Sequence, residues 1–104
     1  MPDFIKYAEP NEIPPNGRKP IIVDELPALL VRIGEDYYAF EDTCTHDGQA
    51  MTDGAITDHE ITCPRHGARF DVRTGKPLCM PATEPIAVYE VEVREDGIYV
   101  KPSA

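Results

Sequence analysis

Long apolar runs are absent from this sequence. No stretch approaches the roughly 20 apolar residues that a transmembrane helix needs, and the opening residues Met1 to Lys6 lack the apolar core of a signal peptide. The chain is 41% hydrophobic and 28% charged, as is ordinary for a globular protein, and its 104 residues leave little room for a second core. We therefore expect a single domain over residues 1–104, acting in the cytoplasm and without a membrane segment.

Cysteine and positive charge are also scarce. The three cysteines, Cys44, Cys63 and Cys79, form an odd set, which argues against the disulfide framework of a small secreted protein. Ten Lys and Arg residues stand against 19 Asp and Glu residues, and the resulting net charge of −9 disfavours binding to nucleic acid or to an anionic membrane. This charge favours a docking partner with a basic surface, and it is equally consistent with simple solubility.

Helix signals are few, whereas strand signals recur. Eleven prolines are about twice the average share of roughly 5% and indicate fixed loops between short strands. The aliphatic runs 20–23 and 28–33 have the composition of strands. The turn residues 34–36 then lead into the aromatic run 37–40, which predicts a hairpin.

A second hairpin is predicted near the end of the chain. From Ala87 to Val93 apolar residues alternate with polar ones, which predicts a strand with one buried face, and residues 95–97 turn the chain into the run 98–100. Between the hairpins, over about residues 42–82, large apolar side chains are sparse and Gly, Pro, Asp and Thr are frequent. We predict an all-β fold in which an antiparallel β base carries an inserted loop-rich module. A bound metal centre would supply the stabilisation that the module's own side chains cannot.

Four of the six cysteines and histidines fall into two short pairs. Cys44 and His46 are separated by one residue, Cys63 and His66 by two, and sixteen residues lie between the pairs. Residues two apart in an extended loop point the same way, and a tight turn such as Gly67 permits can bring residues three apart together. Structural zinc sites usually group their cysteines together and their histidines together. The mixed pairs therefore favour a two-iron cluster over zinc.

The order C-x-H, sixteen residues, C-x-x-H resembles the signature of the Rieske [2Fe-2S] proteins. Residues 67–76 and 78–81 also resemble the small ferredoxins that serve multicomponent aromatic-ring-hydroxylating dioxygenases. The similarity extends from Tyr37 to Val100, and residues 1–30 match only loosely. The resemblance implies the Rieske fold and one Rieske-type [2Fe-2S] cluster per chain, held by a subdomain at about 42–82. It implies four cluster ligands, with the cysteines on one iron and the histidines on the other: Cys44, His46, Cys63 and His66.

Four further positions distinguish this chain from the Rieske proteins of cytochrome bc-type complexes. In that branch, the positions matching Gln49 and Arg65 are cysteines that form a disulfide between the cluster loops. The positions matching Ala68 and Phe70 are a serine and a tyrosine whose hydroxyls donate hydrogen bonds to cluster and cysteine sulfurs. Such donors stabilise the reduced cluster, so we expect this chain to lie at the low end of the Rieske range of about −150 to +300 mV.

The sequence also lacks what two partner proteins would need. It contains no G-x-G-x-x-G dinucleotide fingerprint for a reductase, and once the two paired histidines are used only His59 remains for the mononuclear iron site of an oxygenase. The resemblance therefore implies a protein that is not itself an enzyme. It would carry single electrons from an NAD(P)H-dependent flavoprotein reductase to a terminal Rieske non-haem iron oxygenase. A donor for iron-sulfur or sulfur metabolism and a nitrite-reductase small-subunit-like accessory protein remain as alternatives.

Docking is expected at the tip formed by His46 and His66, where by resemblance the imidazoles face solvent, and the carrier is expected to be a monomer. Arg65, Arg69 and Arg73 lie near this tip in sequence, either as a docking patch or as solvated surface residues.

Three other residues of the module are not expected to take part in ligation or redox chemistry. Cys79 is expected to be a buried, inert thiol, and Met80 to be a packing residue. His59, in what reads as an exposed turn, is not expected to bind metal.

Overall fold

The structure, a computed structural model, describes residues 3–43, 50–64, 67–79 and 84–102. In these residues the regular elements are all β-strands, as the sequence predicts. The strands are β1 (Ile5–Ala8), β2 (Arg18–Val23), β3 (Leu26–Ile33), β4 (Asp36–Glu41), β5 (Ile56–Thr57), β6 (Glu60–Thr62), β7 (Arg69–Asp71), β8 (Pro77–Cys79), β9 (Val88–Arg94) and β10 (Gly97–Pro102). Over the same residues, no helix is long and apolar enough to cross a bilayer.

The larger sheet contains six strands in the order β1-β10-β9-β4-β3-β2. Both predicted hairpins are confirmed within it. Strands β3 and β4 pair antiparallel from Ala28 opposite Glu41 to Ile33 opposite Asp36, and β9 pairs antiparallel with β10 across the turn that ends at Gly97. This sheet is the antiparallel base expected from the sequence.

The smaller sheet contains β5, β6, β7 and β8 in that order and lies within residues 42–82. Its neighbouring strands are antiparallel. The sequence predicted a loop-rich module here and did not predict these strands. Each has only two or three residues, which is too short for the two-residue alternation of a strand to stand out from its surroundings.

Two buried clusters hold the fold together, and β3 contributes to both. Leu29 and Val31 belong to the core between the two sheets, whereas Ala28 and Leu30 belong to the core on the opposite face of the base. Successive strand residues point to opposite faces. Since both faces of β3 are covered, the strand reads in the sequence as a continuous apolar run.

The module contributes more to the core than its composition suggested. Six of its residues are at most 1% exposed and belong to the cluster between the sheets: Met51, Ile61, Cys63, Ala68, Phe70 and Val72. The expectation that a bound metal centre adds to the module's stability stays a prediction, but the module buries more apolar side chains than expected. Its apolar residues are spread thinly along the sequence, and the short strands bring them together.

The buried face predicted for the last hairpin is shorter than expected. Tyr89 and Val91 are half-buried and pack against the core on the outer face of the base. Val93 continues the same alternation but is 60% exposed, and Ala87 is exposed at the other end. The alternation identifies the face correctly, but the core beneath it covers only the middle of the strand.

Candidate metal centre

Cys63 lies at the start of the loop between β6 and β7 and is 1% exposed. Its N–H donates to the carbonyl of Ala68 at 2.7 Å, and its own carbonyl accepts from the N–H of Gly67 at 3.1 Å. These bonds follow the last ladder pair, Thr62 opposite Arg69. Residues 63–68 are here called the second loop. Backbone hydrogen bonds close the base of this loop and fix the position of the Cys63 backbone, from which the thiol side chain extends.

Gly67 has a φ of +75°, in the left-handed region that favours glycine. A Cβ at this position would meet no atom of the described residues within 4 Å. The sequence correctly marked this glycine as the bend of the loop, and its left-handed backbone conformation is a reason for glycine there.

The remaining predicted ligands, Cys44, His46 and His66, lie outside the described residues, as do Gln49, Arg65 and Met80. Among the residues that the structure does describe, no three His, Cys, Asp or Glu side chains converge as a metal site. What the structure provides is the framework around the ligand pairs. The first pair lies within residues 43–50, here called the first loop, and the second pair lies in the second loop.

Asp42 closes the first loop and was not singled out by the sequence. Its side chain is 6% exposed. One carboxylate oxygen accepts the N–H of Met51 at 2.7 Å, and the other accepts the hydroxyl of Thr52. An acidic residue two positions before Cys44, directly after the strand that contains the run 37–40, was the available signal.

The two loops are attached to one core. Met51, just beyond the first loop, belongs to the same buried cluster as Cys63 and Ala68 in the second. Ala68 and Phe70 are 0% exposed and carry no hydroxyl. The side of Cys63 that faces the protein is therefore dry and apolar, an environment that disfavours added negative charge on a nearby metal centre.

Cys79 differs from its prediction as a buried, inert thiol. It is half-exposed, and the Nε of Arg69 donates to its Sγ at 3.4 Å. This hydrogen bond is the main reason why the pKa of the Cys79 thiol lies below its ordinary value. The pairing of β7 and β8 shifts register between Arg69 and Phe70, and it places Cys79 directly opposite Arg69. A sequence pattern does not reveal such an irregularity.

The arginines expected around the tip are paired where the structure describes them. Arg69 also forms an ion pair with Glu60 at 3.3 Å. Arg73 contacts Asp71 through Nε at 3.1 Å and Nη2 at 2.9 Å, and this contact lowers the pKa of the Asp71 carboxyl. Neither guanidinium is a bare positive charge, so the idea of a basic docking patch gains no support from these two residues.

His59 lies in the turn between β5 and β6 and is half-buried rather than exposed. Its ring meets that of Tyr38 edge-on, with centroids 5.7 Å apart and an interplanar angle of 87°. This packing accounts for the residue without metal binding.

Comparison with known proteins shows which family has this framework. The family model of the Rieske [2Fe-2S] domain matches residues 3–90. This match begins well before Tyr37, so the N-terminal part is closer to the family than the sequence resemblance indicated.

Similar proteins are ferredoxins. Ferredoxin CarAc of Metapseudomonas resinovorans is 44% identical over 78 residues, covering 75% of this chain and 73% of its own. The 3-phenylpropionate/cinnamic acid dioxygenase ferredoxin subunit of Escherichia coli K12 is 36% identical over 96 residues, 90% of each chain.

Two solved structures share the fold closely. The ferredoxin of carbazole 1,9a-dioxygenase from Nocardioides aromaticivorans IC177 superimposes with a TM-score of 0.90 at 32% identity, covering 96% of this chain and 98% of its own. A chain from the complex of reduced oxygenase and oxidized ferredoxin in carbazole 1,9a-dioxygenase gives a TM-score of 0.87 at 36% identity, with coverage of 94% and 92%.

The residues present fit the cofactor of this family. Two thiols and two imidazoles are the donor set of a Rieske cluster, and Cys63 offers a buried thiol at the base of a loop that backbone hydrogen bonds close. Together with the match over residues 3–90, this places the chain in the Rieske [2Fe-2S] domain family.

Proposed function

We propose that this protein is a one-electron carrier that accepts electrons from an NAD(P)H-dependent flavoprotein reductase and passes them to a terminal oxygenase. The observation that carries the proposal is the likeness, at 36% identity and over more than nine-tenths of each chain, to a chain of an oxygenase–ferredoxin complex. The carrier has no catalytic residues of its own. Its residues hold the redox group, exclude water from one side of it and present the other side to a partner.

We also propose the ligand set: Cys44 and Cys63 on one iron, His46 and His66 on the other. The order of the pairs supports it, and so does the attachment of both loops to one core. When bound, a Rieske [2Fe-2S] cluster supplies reversible uptake of a single electron. The buried Ala68 and Phe70, which bring no hydroxyl near Cys63, support a potential at the low end of the family's range.

We propose a domain organisation, a location and a docking mode that suit this role. Residues 1–104 would form one domain, with the cluster-binding subdomain at about 42–82. The carrier would act in the cytoplasm as a monomer, bind neither nucleic acid nor membrane, and dock both partners at the tip formed by His46 and His66. The net charge of −9 supports partners with basic docking surfaces.

Two cysteine variants test the cofactor assignment with a matched control. Cys63→Ser should abolish the visible circular dichroism of the cluster, whereas Cys79→Ser should retain it, because Cys79 lies outside the proposed ligand set. The wild-type protein should contain about two irons and two labile sulfides per chain. Protein without iron would support the accessory-subunit alternative instead, and equal loss of the cluster in both variants would contradict the ligand assignment.

Electron transfer is tested by mixing the reduced holoprotein with the oxygenase of a carbazole dioxygenase system, and the oxidised holoprotein with a flavoprotein reductase and NADH. Stopped-flow absorbance should show reoxidation in the first experiment and reduction in the second. A cluster-loaded protein that exchanges electrons with neither partner would assign the carrier to another pathway.

A further inference from the structure

The two loops are closed by different means. Backbone hydrogen bonds that follow the β6–β7 ladder close the second loop. The first loop leaves the end of β4, which lies in the base sheet, and the next strand, β5, pairs with β6 in the other sheet. No ladder between β4 and β5 closes it, so its ends must be joined in another way.

Asp42 makes the first of these joints. Its carboxylate accepts hydrogen bonds from the backbone N–H of Met51, nine residues later in the sequence, and from the hydroxyl of Thr52. The backbone N–H of Asp42 donates to the carbonyl of Pro27 at 3.0 Å, which anchors it to β3. A buried carboxylate is costly unless its oxygens are hydrogen-bonded, and these partners satisfy both of them.

Arg18 makes the second joint, from β2. Its Nη1 donates to the carbonyl oxygens of Thr52 at 2.7 Å and Gly54 at 2.6 Å. The turn 51–54 is itself closed by the N–H of Gly54 donating to the carbonyl of Met51 at 2.9 Å. Two side chains therefore hold the same turn. Asp42 accepts hydrogen bonds from its donors, and Arg18 donates to its carbonyl oxygens.

The turn 51–54 also lies against the strand that leads to Cys63. A Cβ at Gly54 would come within 2.2 Å of the carbonyl oxygen of Thr62, so only glycine fits there. The N–H of Thr62 donates to the carbonyl of Ala55 at 2.9 Å. The turn that follows the first loop is therefore joined to the base of the second.

We propose that Asp42 and Arg18 are positioning residues for the cluster: by holding the turn 51–54, they fix the ends of the first loop relative to Cys63. The inference rests on the proposed ligand set. It follows from closure entropy, because a loop whose ends are held has fewer conformations to lose when its two ligands are ordered.

Arg32 provides a matched control. It lies on the neighbouring strand β3, and its side chain also donates to two backbone carbonyls, those of Gly34 at 2.9 Å and Ile13 at 3.0 Å. Neither acceptor belongs to the two loops or to the turn between them. Arg32 also forms an ion pair with Glu35 at 3.5 Å, so Arg32→Met removes at least as many of the contacts described as Arg18→Met does. Only Arg18→Met should nevertheless disturb the cluster.

The test measures the half-life of the visible circular dichroism of the holoprotein in excess chelator, together with the electron paramagnetic resonance spectrum of the reduced protein. Arg18→Met should shorten the half-life about tenfold relative to Arg32→Met, as expected for lost hydrogen bonds from a charged group, and should broaden or shift the spectrum. Asp42→Ala should act like Arg18→Met. Asp42→Asn keeps an acceptor for Met51 and should restore most of the half-life.

Equal half-lives and spectra for the two arginine variants would overturn the proposal. Should either methionine variant fail to fold, as judged by far-ultraviolet circular dichroism, Arg18→Lys against Arg32→Lys makes the same comparison with a milder change. Failure of the ligand set is separable, because it would appear in the wild-type protein as missing iron or as a spectrum without histidine ligation, before any of these variants is compared.

Discussion

Introducing a hydroxyl beside Cys63 should raise the reduction potential, and Ala68→Ser is the substitution that the structure singles out. Ala68 is 0% exposed and lies across the base of the second loop from Cys63, whose N–H donates to its carbonyl. Both side chains belong to the same buried cluster, so they share a face of the hairpin. Side chains opposed in this way have Cβ atoms about 5 Å apart, which brings a serine hydroxyl within reach of the Cys63 sulfur.

The size of the effect follows from the strength of the new bond. A hydrogen bond to a charged acceptor contributes roughly 2 kcal/mol. If about half of this depends on the added electron, the reduced state gains about 1 kcal/mol. For a one-electron couple 59 mV corresponds to a tenfold change, or about 1.4 kcal/mol. We therefore expect the midpoint of Ala68→Ser to rise by about 40 mV.

A redox titration followed by visible circular dichroism measures this shift, and Val31→Thr provides the control. Val31 is also 0% exposed and belongs to the same core, but it lies on β3 in the base sheet. The isosteric change adds a buried hydroxyl with a comparable stability cost. A midpoint for Ala68→Ser that does not move, or one that moves no more than that of Val31→Thr, would refute the reasoning.

Three further predictions concern single contacts. The Arg73 guanidinium holds the pKa of Asp71 below its ordinary value, so the pair stabilises the fold above the unfolded-state pKa and loses this contribution as pH falls through the folded-state pKa. Asp71→Asn should lower the free energy of unfolding by about 0.5 kcal/mol near neutral pH. It should also make the midpoint of urea unfolding fall less steeply as the pH is lowered, and an unchanged slope would contradict the pairing. Arg69→Gln should slow alkylation of Cys79 severalfold at neutral pH, since the lowered thiol pKa depends mainly on Arg69; mass spectrometry of the modified peptide checks this, and an unchanged rate would count against it. Glu25 has a φ of +68° in the turn between β2 and β3, so Glu25→Gly should raise the unfolding free energy by about 1 kcal/mol in a urea titration, and no gain would show that the turn is not strained.

The two hairpins of the base sheet could be predicted from the sequence because each has a local signature, whereas the ligand pairs stay a prediction that rests on their spacing. The runs that form β3, β4, β9 and β10 are long enough for their apolar pattern to show a strand. Cys63 and Gly67 are neighbours in sequence as well as in space. The conformation that joins them depends on one hairpin, so a few adjacent residues determine it.

The missed features depend on contacts between distant segments. Cys79 reads as an ordinary apolar neighbour of Leu78, and only the register shift between β7 and β8 places it against Arg69. Arg18 lies 34 residues before its acceptor Thr52. Neither relation follows from any period or spacing along the chain, because the tertiary fold alone sets which strands are neighbours.

The topology explains why a buried carboxylate stands two residues before Cys44, a proposed cluster ligand. A backbone ladder is the least costly way to close a loop, because it satisfies groups that must be paired in any case. The second loop is closed in this way, between two strands of one sheet. The first loop connects two different sheets, so its closing groups must be side chains that reach from the base. The side chain of Asp42 accepts from the turn, while its backbone N–H donates to the carbonyl of Pro27 in β3. The need for an acceptor side chain at this position is thus a consequence of where the chain changes sheets, and replacing Asp42 by an apolar residue would leave the N–H of Met51 buried without that acceptor.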